Sequence, residues 1–338
     1  MGGRAFFDII NSESKRMDKD EYDDVLALTI ARINNSHDMT GIAKGVLSVD
    51  DKETFGDIDI LVVREFFFFH FFWNDNKHRY KAYKQNGGVI SLLDKQDRQI
   101  DLITTPKAIY ETHYDYLNYN DLGNFVGRIA KSINLKYGHD GLHLIVRDAN
   151  DNTRKIGEIC VSVNTMFIYQ LLDIEPPHRT GYYNMEDIFD MIMDSKYYHK
   201  DLFLLEKQSH KARVRDRKRK SYNAFLKYIE ENDTSTHTRR RYSIFETLDK
   251  LPARVGIDYI KQRATYDNKQ YEKTLFNGNI VRELTGLQGK ELGAFIGSIK
   301  EQIDIYGDID KQINALYIAY TWDNNTPNMY PSIFKVPK

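Results

Sequence analysis

The stretch Gly56-Asp57-Ile58-Asp59-Ile60-Leu61-Val62-Val63 decides the fold. Two carboxylates alternate with apolar residues, and this pattern predicts a β-strand with Asp57 and Asp59 on one face and the apolar side chains in a core. Adjacent carboxylates repel each other unless a cation lies between them, and hard oxygen ligands suit Mg²⁺. The same alternation also occurs on solvated edge strands, so this stretch alone leaves both interpretations open.

A second strand favours the metal interpretation. Arg98-Gln99-Ile100-Asp101-Leu102-Ile103 is a short apolar run with a central carboxylate. Aspartate is depleted in strands and is costly to bury without a partner. If the two strands are neighbours, Asp101 joins Asp57 and Asp59 in a site for two Mg²⁺ ions, with Mn²⁺ as an alternative. Such a site suits phosphoryl or nucleotidyl transfer.

A glycine followed by an Asp-x-Asp strand and a later strand with a third carboxylate resembles the DNA polymerase β-like nucleotidyltransferase superfamily. The resemblance implies an α/β (α+β) palm with a small mixed sheet, followed by a mostly helical C-terminal region. It also implies that Asp57, Asp59 and Asp101 are the catalytic and metal-binding residues.

Members of this superfamily also carry a Gly-Ser turn that leads into a helix and cradles the triphosphate. Thr40–Gly45 takes that place here, without the serine, and Gly45 lies twelve residues before Asp57. The resemblance therefore assigns nucleotide binding to Gly41, Lys44 and Gly45.

The resemblance continues beyond the third carboxylate. Family X polymerases have a turn and a helix that contact the sugar and base of the incoming nucleotide. By the offsets of the matching residues, Tyr116, Asn124 and Arg128 take the nucleotide-binding roles. The alternative is that Arg128 belongs to a solvated helix face.

Composition describes a globular chain in a reducing compartment. The 338 residues have a net charge of −1, with 41% apolar residues and one cysteine. We expect a cytoplasmic protein without a signal peptide, in which Cys160 is buried and inert. The aromatic run Phe66–Trp73 is much shorter than the ~20 residues that a membrane span needs, so we expect buried structure and no membrane partner, with a partner surface as the alternative.

Local patterns predict three regions. Residues 1–150 form the palm, with a helix over 22–35, a polar helix or loop over 77–85 and a strand over 89–93. Residues 151–206 form a small thumb-like α+β segment, with a strand at 156–163 and helices at 164–173 and 185–193. Residues 207–338 form a basic, helical, nucleic-acid-binding region.

A block of basic residues opens the third region. Only Asp216 opposes it, and a helix over 221–229 follows. Such a block suits contacts with a phosphate backbone, although charge runs are more often solvated helix faces. The predicted nucleic-acid contacts are Lys211, Arg213, Arg215, Arg217, Lys218, Arg219 and Lys220. Residues 239–242 can extend the same surface.

The segment 276–296 resembles the tail element of CCA-adding enzymes and bacterial poly(A) polymerases, with Asn279 in place of the usual aspartate. A helix–turn–helix that serves only packing is the alternative. We expect the wider region 243–320 to be helical and the residues from Trp322 onward to form an irregular tail.

Together these features predict an enzyme that adds nucleoside monophosphates from nucleoside triphosphates to a nucleic-acid 3′ end and releases pyrophosphate. We favour template-independent extension of RNA, of the CCA-adding or poly(A) type. One alternative is a family X-like DNA polymerase that acts on gapped DNA. The other is a catalytically silent nucleic-acid-binding protein.

Overall fold

The computed structural model describes residues 5–148, 150–177, 181–234, 240–275 and 277–306. The described chain has a mixed α/β fold with thirteen α-helices and eight strands. It forms two compact units: residues 1–145 with 157–256, and residues 146–156 with 257–338. The functional division at residues 150 and 206 stays a prediction.

A five-stranded mixed sheet organises the first unit. Its strands, in chain order, are β1 (Ala43–Gly45), β2 (Ile58–Val63), β3 (Tyr80–Asn86), β4 (Val89–Asp94) and β5 (Gln99–Thr105). The spatial order is β1-β2-β5-β4-β3. β2 and β5 are parallel, and the other neighbours are antiparallel. The predicted small mixed sheet is confirmed.

Helices cover one face of this sheet. They are α2 (Lys19–His37) and α3 (Phe69–Asn76), whereas the short α1 (Phe7–Ile10) follows Ala5, whose amide binds Gln99 on the other face. The Asp18 side chain caps α2 by accepting a hydrogen bond from the Glu21 amide at 2.9 Å. Alternate residues of β2, among them Ile58 and Ile60, pack against apolar side chains of α2 and α3. The helix predicted over 22–35 is confirmed within α2.

The opposite face of β2 packs against the next helix, α4 (Tyr110–Leu117). Leu61 and Val63 contact Tyr110 and Tyr114 there. Because strand side chains alternate, Asp59 belongs to this face.

The remainder of the first unit surrounds α5, whose Phe125 ring lies 4.7 Å from the Phe225 ring. A second sheet has the order β6-β7-β8. The strand and helices predicted between 156 and 193 are confirmed. The elements are α5 (Leu122–Ser132), β6 (Leu135–Gly138), β7 (Gly141–Arg147), β8 (Lys155–Ser162), α6 (Thr165–Leu171), α7 (Met185–Met193), α8 (His210–Asp216), α9 (Lys220–Asn232) and α10 (Ile244–Leu248).

The C-terminal part is helical as far as residue 306. Its helices are α11 (Ala253–Leu275), α12 (Gly278–Thr285) and α13 (Gly289–Tyr306). The helical prediction for 243–320 is confirmed over the described residues. The rest of that prediction and the predicted tail lie outside them. None of the described helices is both long enough and apolar enough to cross a bilayer.

Three local predictions were wrong. The polar segment 77–85 mostly forms β3, an edge strand whose side chains are largely solvated, so its sequence resembles a loop. Cys160 is exposed, because its neighbours Ile159 and Val161 occupy the buried face of β8. The aromatic run is only partly buried, since α3 buries one stripe and leaves Phe68 and Phe71 about half exposed.

Candidate active site

Three aspartates meet on the α4 face of the five-stranded sheet. Asp57 directly precedes β2, and Asp59 lies opposite Asp101 in the parallel β2–β5 pair. One carboxylate oxygen from each residue lies within 4.8 Å of the other two. Among the described residues, this is the one group of three or more His, Cys, Asp or Glu side chains that could hold a metal ion.

The cluster is electrostatically unfavourable without a cation. Burial, together with the charges of Asp57 and Asp101, raises the pKa of Asp59 to about 8. Burial also raises the pKa of Asp101. Three partly buried carboxylates supply hard oxygen ligands, and a divalent cation would offset their repulsion. The donor set therefore fits a metal ion of the Mg²⁺ or Mn²⁺ type.

Neighbouring side chains hold Asp101 in place. The Gln99 amide donates hydrogen bonds to both carboxylate oxygens, at 3.1 and 3.0 Å. Ser91, the cross-strand partner of Asp101 on β4, opposes the rise in the Asp101 pKa through a hydrogen bond. Gln99 is in turn fixed by the Ala5 amide, which donates to its carbonyl oxygen at 2.9 Å. These contacts orient one ligand of the site.

Lys52 is a basic group near the carboxylates that the sequence did not indicate. Its ammonium lies 4.5 Å from the centre of the Phe55 ring. Burial lowers the pKa of Lys52, whereas the charges of Asp57 and Asp59 oppose this shift. A partly buried cation here can attract the anionic part of a substrate. No motif distinguishes Lys52 from the other basic residues, because it lies in the irregular loop before β2.

The glycine segment does not form the expected turn and helix. Gly41 has a left-handed φ of +75°, but Lys44 and Gly45 lie on β1, and the described residues 46–57 contain no helix. A Cβ atom on Gly45 would lie 2.6 Å from a methyl carbon of Leu26, so the Leu26 side chain of α2 packs directly against this glycine. The prediction of a helix after this segment, which the resemblance implies, is therefore wrong.

Lys44 lies on the carboxylate face of the sheet, since its cross-strand partner is Leu61. Its ammonium is 2.8 Å from the Glu111 carboxylate and 5.2 Å from the centre of the Tyr114 ring. The nucleotide-binding role of Gly41, Lys44 and Gly45 stays a prediction.

The three family X-like residues have intramolecular partners. Tyr116 lies near the end of α4 and packs edge-on against Tyr137. The Asn124 carbonyl oxygen accepts a hydrogen bond from Arg215 at 2.8 Å, and Arg128 pairs with Asp216. Their nucleotide-binding roles stay a prediction, and a nucleotide would have to replace these contacts at Asn124 and Arg128.

The basic block divides into two sets. The paired set, Arg215 and Arg219, contacts Asp216, Asn124 and Asp121. Arg213 is half-buried in α8. The exposed basic set has no ion pair within the described part of the chain, and it consists of Lys211, Arg217, Lys218 and Lys220. Of the neighbouring cluster, Arg240 pairs with Glu246, and residue 239 lies outside the described residues.

No protein-family model matches the chain, and no curated protein matches it in sequence. The superfamily resemblance therefore rests on the residues described above.

Proposed function

We propose that the protein is a metal-dependent nucleotidyltransferase that transfers a nucleoside monophosphate from a nucleoside triphosphate to a nucleic-acid 3′-hydroxyl. The pairing of Asp59 with Asp101 across parallel strands, with Asp57 beside them, carries this proposal. A random pair of strand aspartates would be solvated separately, whereas these three converge within 4.8 Å. That convergence supports a cation site on the sheet.

In this proposal Asp57, Asp59 and Asp101 hold two Mg²⁺ ions, for which Mn²⁺ can substitute. Divalent ions bound there would stabilise charge on the attacking and leaving oxygens of phosphoryl transfer. Gln99 and Ser91 keep the Asp101 carboxylate oriented toward the site. Lys52 supplies a positive charge that can bind the triphosphate or the departing pyrophosphate.

We propose RNA as the acceptor, extended without a template. The exposed basic set supports contact with a nucleic-acid backbone. The α12–α13 pair is a helical hairpin with left-handed Gly286 in its connection and left-handed Gly289 at the start of α13, which is compatible with the predicted tail element. A family X-like DNA polymerase is less well supported, because Asn124 and Arg128 contact α8 instead of facing open space.

A primer-extension assay tests the proposal. The purified chain is incubated with Mg²⁺, each of the eight labelled nucleotides, and three acceptors: single-stranded RNA, tRNA that lacks its 3′ end, and gapped DNA. We expect ribonucleotide addition to RNA without a template. Template-directed deoxynucleotide addition to gapped DNA would instead support the polymerase alternative.

Two matched variants assign the activity to the site. Asp59→Asn should reduce transfer by at least about 100-fold. Replacing a residue that only hydrogen-bonds a metal ligand already lowers metal affinity or activity by about 10–100-fold, and Asp59 is proposed as a ligand itself. Asp51→Asn, an exposed carboxylate in the loop before β2, should retain activity. Equal activity in Asp59→Asn and wild type would exclude the aspartate cluster, and no incorporation into any acceptor by wild type would contradict the proposed function.

A further inference from the structure

A cavity lies on the face of the five-stranded sheet opposite the aspartate cluster. It has a volume of about 320 Å³ and opens between α2 and the turn that joins β4 to β5. Ile100 lines it. Because Ile100 precedes Asp101 on β5, the two side chains point to opposite faces. The cavity is therefore separated from the aspartate cluster by the sheet itself.

The lining of this cavity is strongly basic. It includes Arg32, Arg79, Lys95 and Arg98, against Asp94 as the one carboxylate. Arg98 is neutralised, because its guanidinium lies 2.6 Å from Asp94 and 3.0 Å from Glu21. The other three cations have no ion pair within the residues that the structure describes.

These three cations come from separate elements that converge on one opening. Arg32 belongs to α2, Arg79 to the single 3₁₀ turn before β3, and Lys95 to the β4–β5 turn. Burial raises the pKa of Tyr80 in the cavity wall, and the neighbouring Arg32 charge opposes this shift. Arg32 and Tyr80 both line the cavity. Like charges placed around one space repel each other, and a multivalent anion between them would offset that repulsion.

Charge and size together define the ligand class. Guanidinium groups match the geometry of phosphate oxygens, and lysine adds a point charge. The volume is near the lower end of the range of roughly 300–1,000 Å³ for small-molecule sites, which suits a small ligand. The cavity is thus suited to one small, multiply charged anion.

We propose that this cavity binds a phosphate-bearing small ligand through Arg32, Arg79 and Lys95. The phosphoryl group can belong to a free mononucleotide or to inorganic pyrophosphate. The site is distinct from the aspartate cluster and does not depend on the proposed transfer activity.

Isothermal titration calorimetry of the full chain in EDTA tests this proposal. Without free metal, the aspartate cluster repels phosphate, so binding reports on the basic cavity. The probes are AMP, pyrophosphate and inorganic phosphate, with adenosine as an uncharged control. We expect AMP or pyrophosphate to bind and adenosine not to bind. Tighter binding of AMP than of pyrophosphate identifies a nucleotide site, and the reverse order identifies an inorganic polyphosphate site.

Variants assign the binding to the cavity. Arg32→Gln and Lys95→Gln should each weaken binding at least ten-fold, whereas Lys77→Gln, an exposed lysine outside the lining, should not. Lys95 is exposed in a turn, so its replacement leaves the fold intact. Asp59→Asn should bind the probe as wild type does, which separates this result from the transfer assay. No binding at millimolar probe, or unchanged affinity in both cavity variants, would overturn the proposal.

Discussion

Arg128 and Asp216 form a buried ion pair that joins α5 to α8. Arg128 is 7% exposed and Asp216 is fully buried. Asp216 also accepts a hydrogen bond from Arg215 at 2.7 Å. The one acid inside the basic block is therefore the centre of an internal charge network, and it fixes part of the block against the first unit's core.

Removal of this acid should strongly destabilise the protein. Asp216→Asn leaves the Arg128 charge buried without a counter-charge, and breaking a buried pair in this way costs about 3–5 kcal/mol. Urea unfolding measures the free energy of unfolding. Glu231→Gln, which breaks the exposed pair with Lys227, should change it by less than about 1 kcal/mol. Equal effects of the two substitutions would contradict the buried network.

The exposed basic set should account for the salt dependence of nucleic-acid binding. Each phosphate contact on a single strand contributes about 0.7 to the slope of log K against log salt, so replacing all four with glutamine should lower the slope by up to about 3. Fluorescence anisotropy of a labelled RNA across a salt series measures this slope. Lys227→Gln, a basic residue of α9 outside the set, is the control. An unchanged slope in the four-residue variant would show that these residues are a solvated surface that does not contact nucleic acid.

The sequence predicted local features, such as single strands, better than the way in which strands pair in the sheet. Alternation of two carboxylates with apolar residues is a property of β2 alone, so the strand and the orientation of its aspartates were predictable. The parallel register that sets Asp59 opposite Asp101 depends on β4 and β5, which the pattern of β2 does not specify. The site was therefore predicted as a set of residues, and its geometry came from the sheet.

Charge patterns were less informative, because tertiary contacts decide which charges are already paired within the protein. Arg215 and Arg217 are two residues apart in the same block and both are exposed, yet Arg215 binds Asn124 and Asp216 whereas Arg217 has no ion pair in the described part of the chain. Lys52 shows the converse: a single lysine in an irregular loop lies close enough to the carboxylates for their charges to affect its pKa. Neither outcome follows from residue spacing.

A divalent cation should stabilise the fold through the aspartate cluster. Because burial and the neighbouring carboxylates raise the pKa of Asp59, a bound cation relieves repulsion that is present in the native state. A ligand at 100 times its Kd adds about 2.7 kcal/mol to the free energy of unfolding. We expect Mg²⁺ to raise the Tm of wild type and of Asp51→Asn, and EDTA to reverse the shift. The same Mg²⁺-dependent shift in Asp59→Asn would place the cation elsewhere.

His113 should make stability depend on acid pH. The ring lies in α4, with Nδ1 2.9 Å from the Thr105 hydroxyl oxygen. Burial, and then the charge of His139, lowers the pKa of His113 from 6.5 to about 4. The unfolded chain therefore binds a proton at a higher pH than the native state does. The contribution of His113 to the free energy of unfolding is fully present above pH 6.5 and is lost as the pH falls toward 4.

His113→Gln removes this titration, so its stability should fall less steeply than that of wild type across the same interval. The difference in free energy of unfolding between the two ends should be about 1–2 kcal/mol, after allowance for partial exposure of the ring. Urea unfolding at a series of pH values measures it, with His70→Gln, an exposed histidine of α3, as the control. Parallel curves for wild type and His113→Gln would show that His113 takes up its proton equally in the native and unfolded states, and burial would then not govern its charge.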